Sequence, residues 1–314
     1  MNIPGSNRSQ PTDNSASMIA QRLKWGIKWL LGTSRGGRNF GIFADDIFLV
    51  SFPKSGNTWM RFLIANLLAN DAATFSNIER KIPDVYKNTR NQLARISRPR
   101  ILKTHEYFDP RYKRVIYIVR DPRDVVISYY HHHRKTRFIT DDYPIDQYVS
   151  RFVNGQLDEY GSWQENVSSW LATRYGKQEF LLLRYEDLSE QPEVEVSKVV
   201  RFLSLDRSRV EIRRAIDLSS ADHMRDLEKK ESDLWINTRT TRKDIPFVRT
   251  AAVGRWRTQL SPSLAAQVEA SWRPLMESLG YLTTHTVDRS LQPVMSARLS
   301  GIMESKSRYG LPTV

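Results

Sequence analysis

The chain has 314 residues, 40% of them hydrophobic, which is enough to bury one large core. It contains no cysteine, which excludes a thiolate nucleophile, a disulfide framework and any cysteine-ligated metal, and leans towards the cytoplasm. With 48 Lys and Arg against 35 Asp and Glu the formal net charge is +13, a balance that points to an anionic partner. The positive charge is spread along the chain without a zinc-finger or RNA-binding signature, so nucleic acid is not the expected partner.

Residues 1–17 are polar, rich in Ser, Asn and Pro, and read as a disordered tail without the apolar stretch of a secretory signal. Residues 18–31 set Ile19, Leu23, Ile27, Leu30 and Leu31 at helical spacing, with Arg22, Lys24 and Lys28 between them. This predicts a basic amphipathic helix, with its linker filling 18–40, that either packs on the domain or makes peripheral contact with a membrane. No run of 18 apolar residues occurs, so no transmembrane helix is expected.

An α/β pattern begins at residue 46. The apolar run 46–52 reads as a buried parallel strand, and 58–70 follows with Trp59, Leu63 and Leu67 at helical spacing. Further strands are expected at 100–104, 114–120 and 179–185, with a helix starting near Arg123. Strands alternating with helices imply a single α/β domain over 41–282, built on a central parallel sheet flanked by helices, with 283–314 as an extension. Helices are expected at 194–203, 207–218 and 262–279, while 228–250 is charged, lacks a period and reads as a long loop or lid.

The junction Ser51-Phe52-Pro53-Lys54-Ser55-Gly56-Asn57-Thr58-Trp59 lies between the first strand and its helix. At such a junction backbone N–H groups and the positive helix end face an anion. Gly56 lets the backbone approach, Lys54 supplies charge, and Ser55, Asn57 and Thr58 supply hydrogen bonds. The lysine precedes the only glycine, so this is not the Walker A spacing, and a phosphate-loop kinase is a secondary reading. Arg120-Asp121-Pro122-Arg123-Asp124-Val125-Val126-Ile127-Ser128-Tyr129-Tyr130 follows the third strand, where Arg120 offers a donor fork suited to phosphate. The run His131-His132-His133 continues the same helix, which would turn adjacent imidazoles in different directions, so no metal site is expected.

These two motifs resemble those of the cytosolic sulfotransferases that use 3′-phosphoadenosine 5′-phosphosulfate (PAPS) and release adenosine 3′,5′-bisphosphate (PAP). The first is similar to the 5′-phosphosulfate loop P-K-S-G-T-T-W, with Asn57 in place of a threonine; the second is similar to R-[DN]-P-[RK]-D-V-x-x-S-x-Y. Lys103-Thr104-His105 resembles the K-T-H segment, though Glu106-Tyr107-Phe108 follows where the family has a proline. Tyr160-Gly161-Ser162-Trp163 and Arg184-Tyr185-Glu186-Asp187-Leu188 also match family segments. Arg249, Gly254 and Trp256 match R-K-G-x-x-G-x-W, with Thr250 and Ala251 replacing Lys and Gly. Ser219 aligns with a Thr-Ser-Phe segment, whose aromatic is replaced by Ala221. The family's short dimer motif has no evident counterpart after Trp256.

The resemblance runs from about residue 46 to about 261. It implies a phosphate-loop, P-loop NTPase-like sulfotransferase fold, PAPS as donor and a metal-free reaction. It further implies that Lys54, Ser55, Gly56, Asn57 and Thr58 hold the 5′ end of the donor, that Trp59 stacks on its adenine, and that Arg120 and Ser128 contact its 3′-phosphate. Tyr185 would lie near adenine, with Ser219, Arg249 and Gly254 completing the donor site. His105 would be the general base, Lys54 and Lys103 would support the transferring group, and Ser128 would hold Lys54 until an acceptor binds. The acceptor is expected to be a small molecule, glycan or lipid with a hydroxyl or amine. A non-catalytic anion- or membrane-binding protein on the same fold is the other alternative.

Overall fold

The structure is a computed structural model that describes residues 37, 39–69 and 71–282. The expected tail 1–17, helix 18–31 and extension 283–314 lie outside the described residues. Contacts divide the chain into two compact units. The described part of the smaller comprises residues 37, 39–41 and Val85–Ile96. Within it Gly37 N donates to Val85 O at 2.8 Å. Thr89 and Gln92 form a reciprocal capping box at the start of the short helix Arg90–Ala94.

The larger unit takes in Ile42–Asp84 and the chain from Ser97 onward. Its strands are β1 (Ile47–Ser51), β2 (Ile101–Thr104), β3 (Arg114–Val119) and β4 (Phe180–Arg184). They form one parallel sheet in the order β2-β1-β3-β4. All five β1 residues are buried, which explains why the sequence shows an unbroken apolar run rather than alternation. The longer helices are α1 (Asn57–Leu68), α2 (Pro122–Lys135), α3 (Ile145–Val153), α4 (Trp163–Arg174), α5 (Pro192–Phe202), α6 (Arg209–Asp217), α7 (Ala221–Glu231) and α8 (Pro262–Ser278).

One apolar layer joins the sheet residues Leu49, Ile116, Ile118 and Leu183 to Leu63, Ile64 and Leu67 of α1, Val196 and Val199 of α5 and Ile212 of α6. A second is aromatic: Phe48 of β1 stacks on Tyr112 with ring centroids 3.7 Å apart, and Trp170 of α4 packs on Tyr112 and Tyr117. Arg100, just before β2, forks onto Asp46, just before β1, with Nε 2.8 Å from Oδ1; both side chains are buried. The register sets Val50 opposite Thr104 on one side and Tyr117 on the other. β1, β2 and β3 therefore end together. Because β1 is central and the chain steps to β2 before crossing to β3, the carboxyl end of β1 is the switch point where α/β sheets bind ligands.

Candidate active site

The loop after β1 takes two left-handed turns. Lys54 has φ of +65° and Gly56, the residue capping α1, has φ of +103°. A Cβ on Gly56 would sit 2.6 Å from Cδ2 of Tyr185, so glycine is required by both backbone and packing. The loop thereby delivers the N-terminus of a 12-residue helix to the strand ends. Ser55 Oγ is buried without a hydrogen-bond partner. Asn57 turns its amide back towards β1, donating to Ser51 Oγ at 3.2 Å and Leu49 O at 3.4 Å, while its Oδ1 is buried and unpartnered. Thr58 and Trp59 lie half-buried on the first turn, with Trp59 edge-on to Tyr185 at 5.3 Å.

Arg120, at the end of β3, joins the loop to the C-terminal motif. Its Nη1 donates to Lys54 O at 3.4 Å and its Nη2 to Ala252 O at 3.3 Å. The guanidinium lies 4.0 Å over the Tyr185 ring, and its Nε is buried without a partner. Tyr185 OH donates to Ala251 O at 2.9 Å. Asp124, in the first turn of α2, accepts from the backbone N of Gly254 at 2.7 Å and of Trp256 at 2.9 Å. The two motifs, over 120 residues apart in sequence, are thus clamped together by one carboxylate. Ser128 is half-buried further along α2.

The charges here are unbalanced towards the positive. Burial, then Arg120 and Arg249, lower the Lys54 pKa to about 7. Burial, then Arg255 and Arg120, lower that of Arg249 to about 10. At the end of β2, His105 Nδ1 lies 2.7 Å from Ser51 O. A carbonyl only accepts, so Nδ1 carries the proton and Nε2 the lone pair. Burial, then the Lys103 charge, push the His105 pKa down to about 3, which keeps the ring neutral. Lys103 itself is buried with Nζ 2.9 Å from Asp84 Oδ2. Burial lowers the Lys103 pKa against the pull of Asp84; Asp84 is lowered because Lys103 and Arg61 outweigh its own burial.

A profile of the sulfotransferase domain matches residues 44–280. The chain belongs to the sulfotransferase family. It is 28% identical to Sulfotransferase 1A1 of Rattus norvegicus over 80% of this chain and 91% of that protein. It is 29% identical to Cytosolic sulfotransferase 12 of Arabidopsis thaliana over 72% of this chain and 75% of the relative. Its fold is that of mouse sulfotransferase SULT7A1, solved in complex with PAP, with a TM-score of 0.63 at 23% identity over 85% of this chain and 91% of that one. Retinol dehydratase, solved with androsterone and PAP, matches with a TM-score of 0.63 at 19% identity over 81% and 85% of the two chains.

In this sulfotransferase most of the residues singled out from sequence converge on the carboxyl ends of β1, β2 and β3. Ser219 is the exception. It is fully buried, its Oγ donating to Ala215 O at 2.7 Å and accepting from Asn66 Nδ2 at 3.0 Å. Its hydroxyl ties α6 to α1.

The segment 228–250 is a loop from Ser232 onward, as expected, and only its first four residues are helical. It begins inside α7, where the buried carboxylate of Glu228 accepts from the backbone N of Phe247 at 2.6 Å and of Val248 at 2.8 Å. Lys135 Nζ adds bonds to Arg242 O at 2.8 Å and Ile245 O at 2.6 Å. The charges in this segment tether the loop, bringing the Phe247 ring to 4.6 Å from Lys54 Nζ. Sequence reading missed Asp124 and Glu228 as site organisers. Asp124 was legible as an acid of the second motif, whereas nothing local marks Glu228. The imidazoles of 131–133 diverge: His133 Nδ1 pairs with Tyr148 OH at 2.8 Å, and His132 lies edge-on to Phe247. No group of three or more metal-ligating side chains gathers among the described residues.

Proposed function

We propose that this sulfotransferase transfers the sulfonate group of PAPS to a hydroxyl or amine of an acceptor, with His105 as general base. The observation that carries the reading is the pairing of a neutral imidazole of fixed tautomer with a cationic loop anchored to the same strand end, through Ser51 O. The donor suits this loop: Ser55 Oγ and Arg120 Nε are buried without partners, and Lys54, Arg120 and Arg249 repel one another until an anion is added. Two PAP complexes among proteins of the same fold support the same choice.

In this scheme the acceptor oxygen or nitrogen attacks sulfur as its proton passes to His105 Nε2. The bond from sulfur to the bridging oxygen breaks in line, and PAP leaves with the charge on that oxygen stabilised by Lys54. Sulfonate and phosphoryl transfer make the same demands of positioning and charge. Lys103, held by Asp84, supports the transferring group, and its charge adds to burial in lowering the His105 pKa. Arg120, Ser128 and Arg249 take the 3′-phosphate, Trp59 and Tyr185 border the adenine side, and Gly254 shapes the turn.

Retinol dehydratase was solved with androsterone and with retinol, so small alcohols are the first acceptors to try, followed by sugars and lipids. The catalytic domain 41–282 is proposed to act in the cytoplasm, as the name of the Arabidopsis relative suggests, and residues 18–31 are the segment for any membrane contact. Incubation with PAPS and pooled hydroxyl and amine compounds, read by mass spectrometry, should give a sulfonated product and stoichiometric PAP. PAPS that stays intact with every acceptor class would contradict the proposal.

A further inference from the structure

The turn 249–256 lacks the lysine of the motif it resembles, because Thr250 stands there. Arg255 compensates geometrically. Its Nη1 reaches back and donates to Thr250 Oγ1. Its backbone is fixed on both sides, since Asp124 accepts from the N–H of Gly254 and of Trp256. The carboxamide of Gln259 lies between Arg255 and Arg249. One end is 3.3 Å from Arg249 Nη2; with its oxygen turned to the other side, it accepts from Arg255 Nη2 at 2.9 Å and Nε at 3.3 Å. An amide has one oxygen and one NH₂ group, so it satisfies only one of the two guanidinium groups at a time. After burial, Arg255 is the largest influence depressing the Arg249 pKa, and both arginines also press on His131. Two cations that repel and share one acceptor are completed by a doubly charged anion.

We propose that Arg255 is a second cation for the 3′-phosphate of the donor nucleotide, taking the place of the lysine that Thr250 replaces. The proposal rests on the donor reading given above. It is tested by dissociation constants of the full chain for PAP and for adenosine 5′-monophosphate, which lacks the 3′-phosphate, in wild type, Arg255→Ala and Arg255→Lys. Wild type should prefer PAP. Arg255→Ala should weaken PAP by about tenfold or more, the loss of one charge-assisted pair. The monophosphate should change less than about twofold on the same scale. Arg255→Lys, which keeps the charge, should retain most of the PAP affinity. Unchanged PAP affinity in Arg255→Ala, or an equal loss for both nucleotides as a disturbed turn would give, overturns the proposal. A wild type that binds the two nucleotides equally overturns the donor reading itself.

Discussion

Lys54 meets two demands that would conflict on a rigid surface: it is charged, and it stands among other cations on a backbone of positive φ. Its pKa of about 7 is the cost of that placement, and a phosphosulfate bound at this loop, as proposed, would relieve it. The sign follows directly. An anion favours the ammonium form and raises the pKa, so PAP binding takes up a proton once the free lysine has begun to lose its own. PAP affinity should hold below about pH 7 and weaken as pH rises through 8, with proton uptake visible by calorimetry in buffers of different ionisation enthalpy. Affinity that rises with pH over this range would place the charge elsewhere. Arg120→Ala removes the guanidinium that bridges Lys54 O, Ala252 O and the Tyr185 ring. PAP binding should weaken by about 10- to 100-fold, the range for hydrogen bonds to charged groups; unchanged affinity would remove Arg120 from the site.

Among the elements, β1 and β3 were legible because burial of all of β1 and of Val115–Val119 in β3 leaves an apolar run, and α1 because Leu63 and Leu67 share its inner face. α7 was not legible. It carries eight charged or imidazole side chains in ADHMRDLEKKE and buries only Met224 and Glu228, so no apolar period emerges. α4 was hidden differently: tryptophans and polar residues are buried together, Asn166 among them, bonding Tyr117 OH and His105 O. The proposed donor motifs were readable because phosphate recognition concentrates on a few contiguous residues. The carboxylates that hold those motifs in place act across long sequence distances and carry no local signature. The ion pair behind the sheet gives a prediction at this scale. Asp46→Ala removes the carboxylate paired with the buried Arg100 guanidinium, and should lower stability by about 3–5 kcal/mol in urea or thermal unfolding. A change below about 1 kcal/mol would mean that other groups hold the Arg100 charge without Asp46.

For the molecule as a whole, the histidines near the site set the response to acid. His105 is lowered to about 3 and His131 and His133 to about 4, in each case first by burial, and His132 is lowered in the same direction. The unfolded chain protonates these imidazoles near pH 6.5 while the folded one does not, so the unfolded state binds more protons below that pH. Stability should be full above about pH 7 and fall steadily towards pH 4, by up to about 1.4 kcal/mol per pH unit for each histidine. Melting temperatures flat from pH 7 to 4.5 would contradict the buried neutral state. The same neutrality bears on the proposed base role. With its proton on Nδ1 and a low pKa, His105 stays unprotonated at Nε2 throughout the neutral range, at the cost of a weaker base, and turnover should show no limb near pH 6.5 from this residue. The most direct test is acceptor-dependent release of PAP by wild type and His105→Ala, with PAP affinity measured on both. The account predicts a fall in turnover of about 10²- to 10⁴-fold with PAP affinity unchanged. Near-normal turnover in the variant would contradict it.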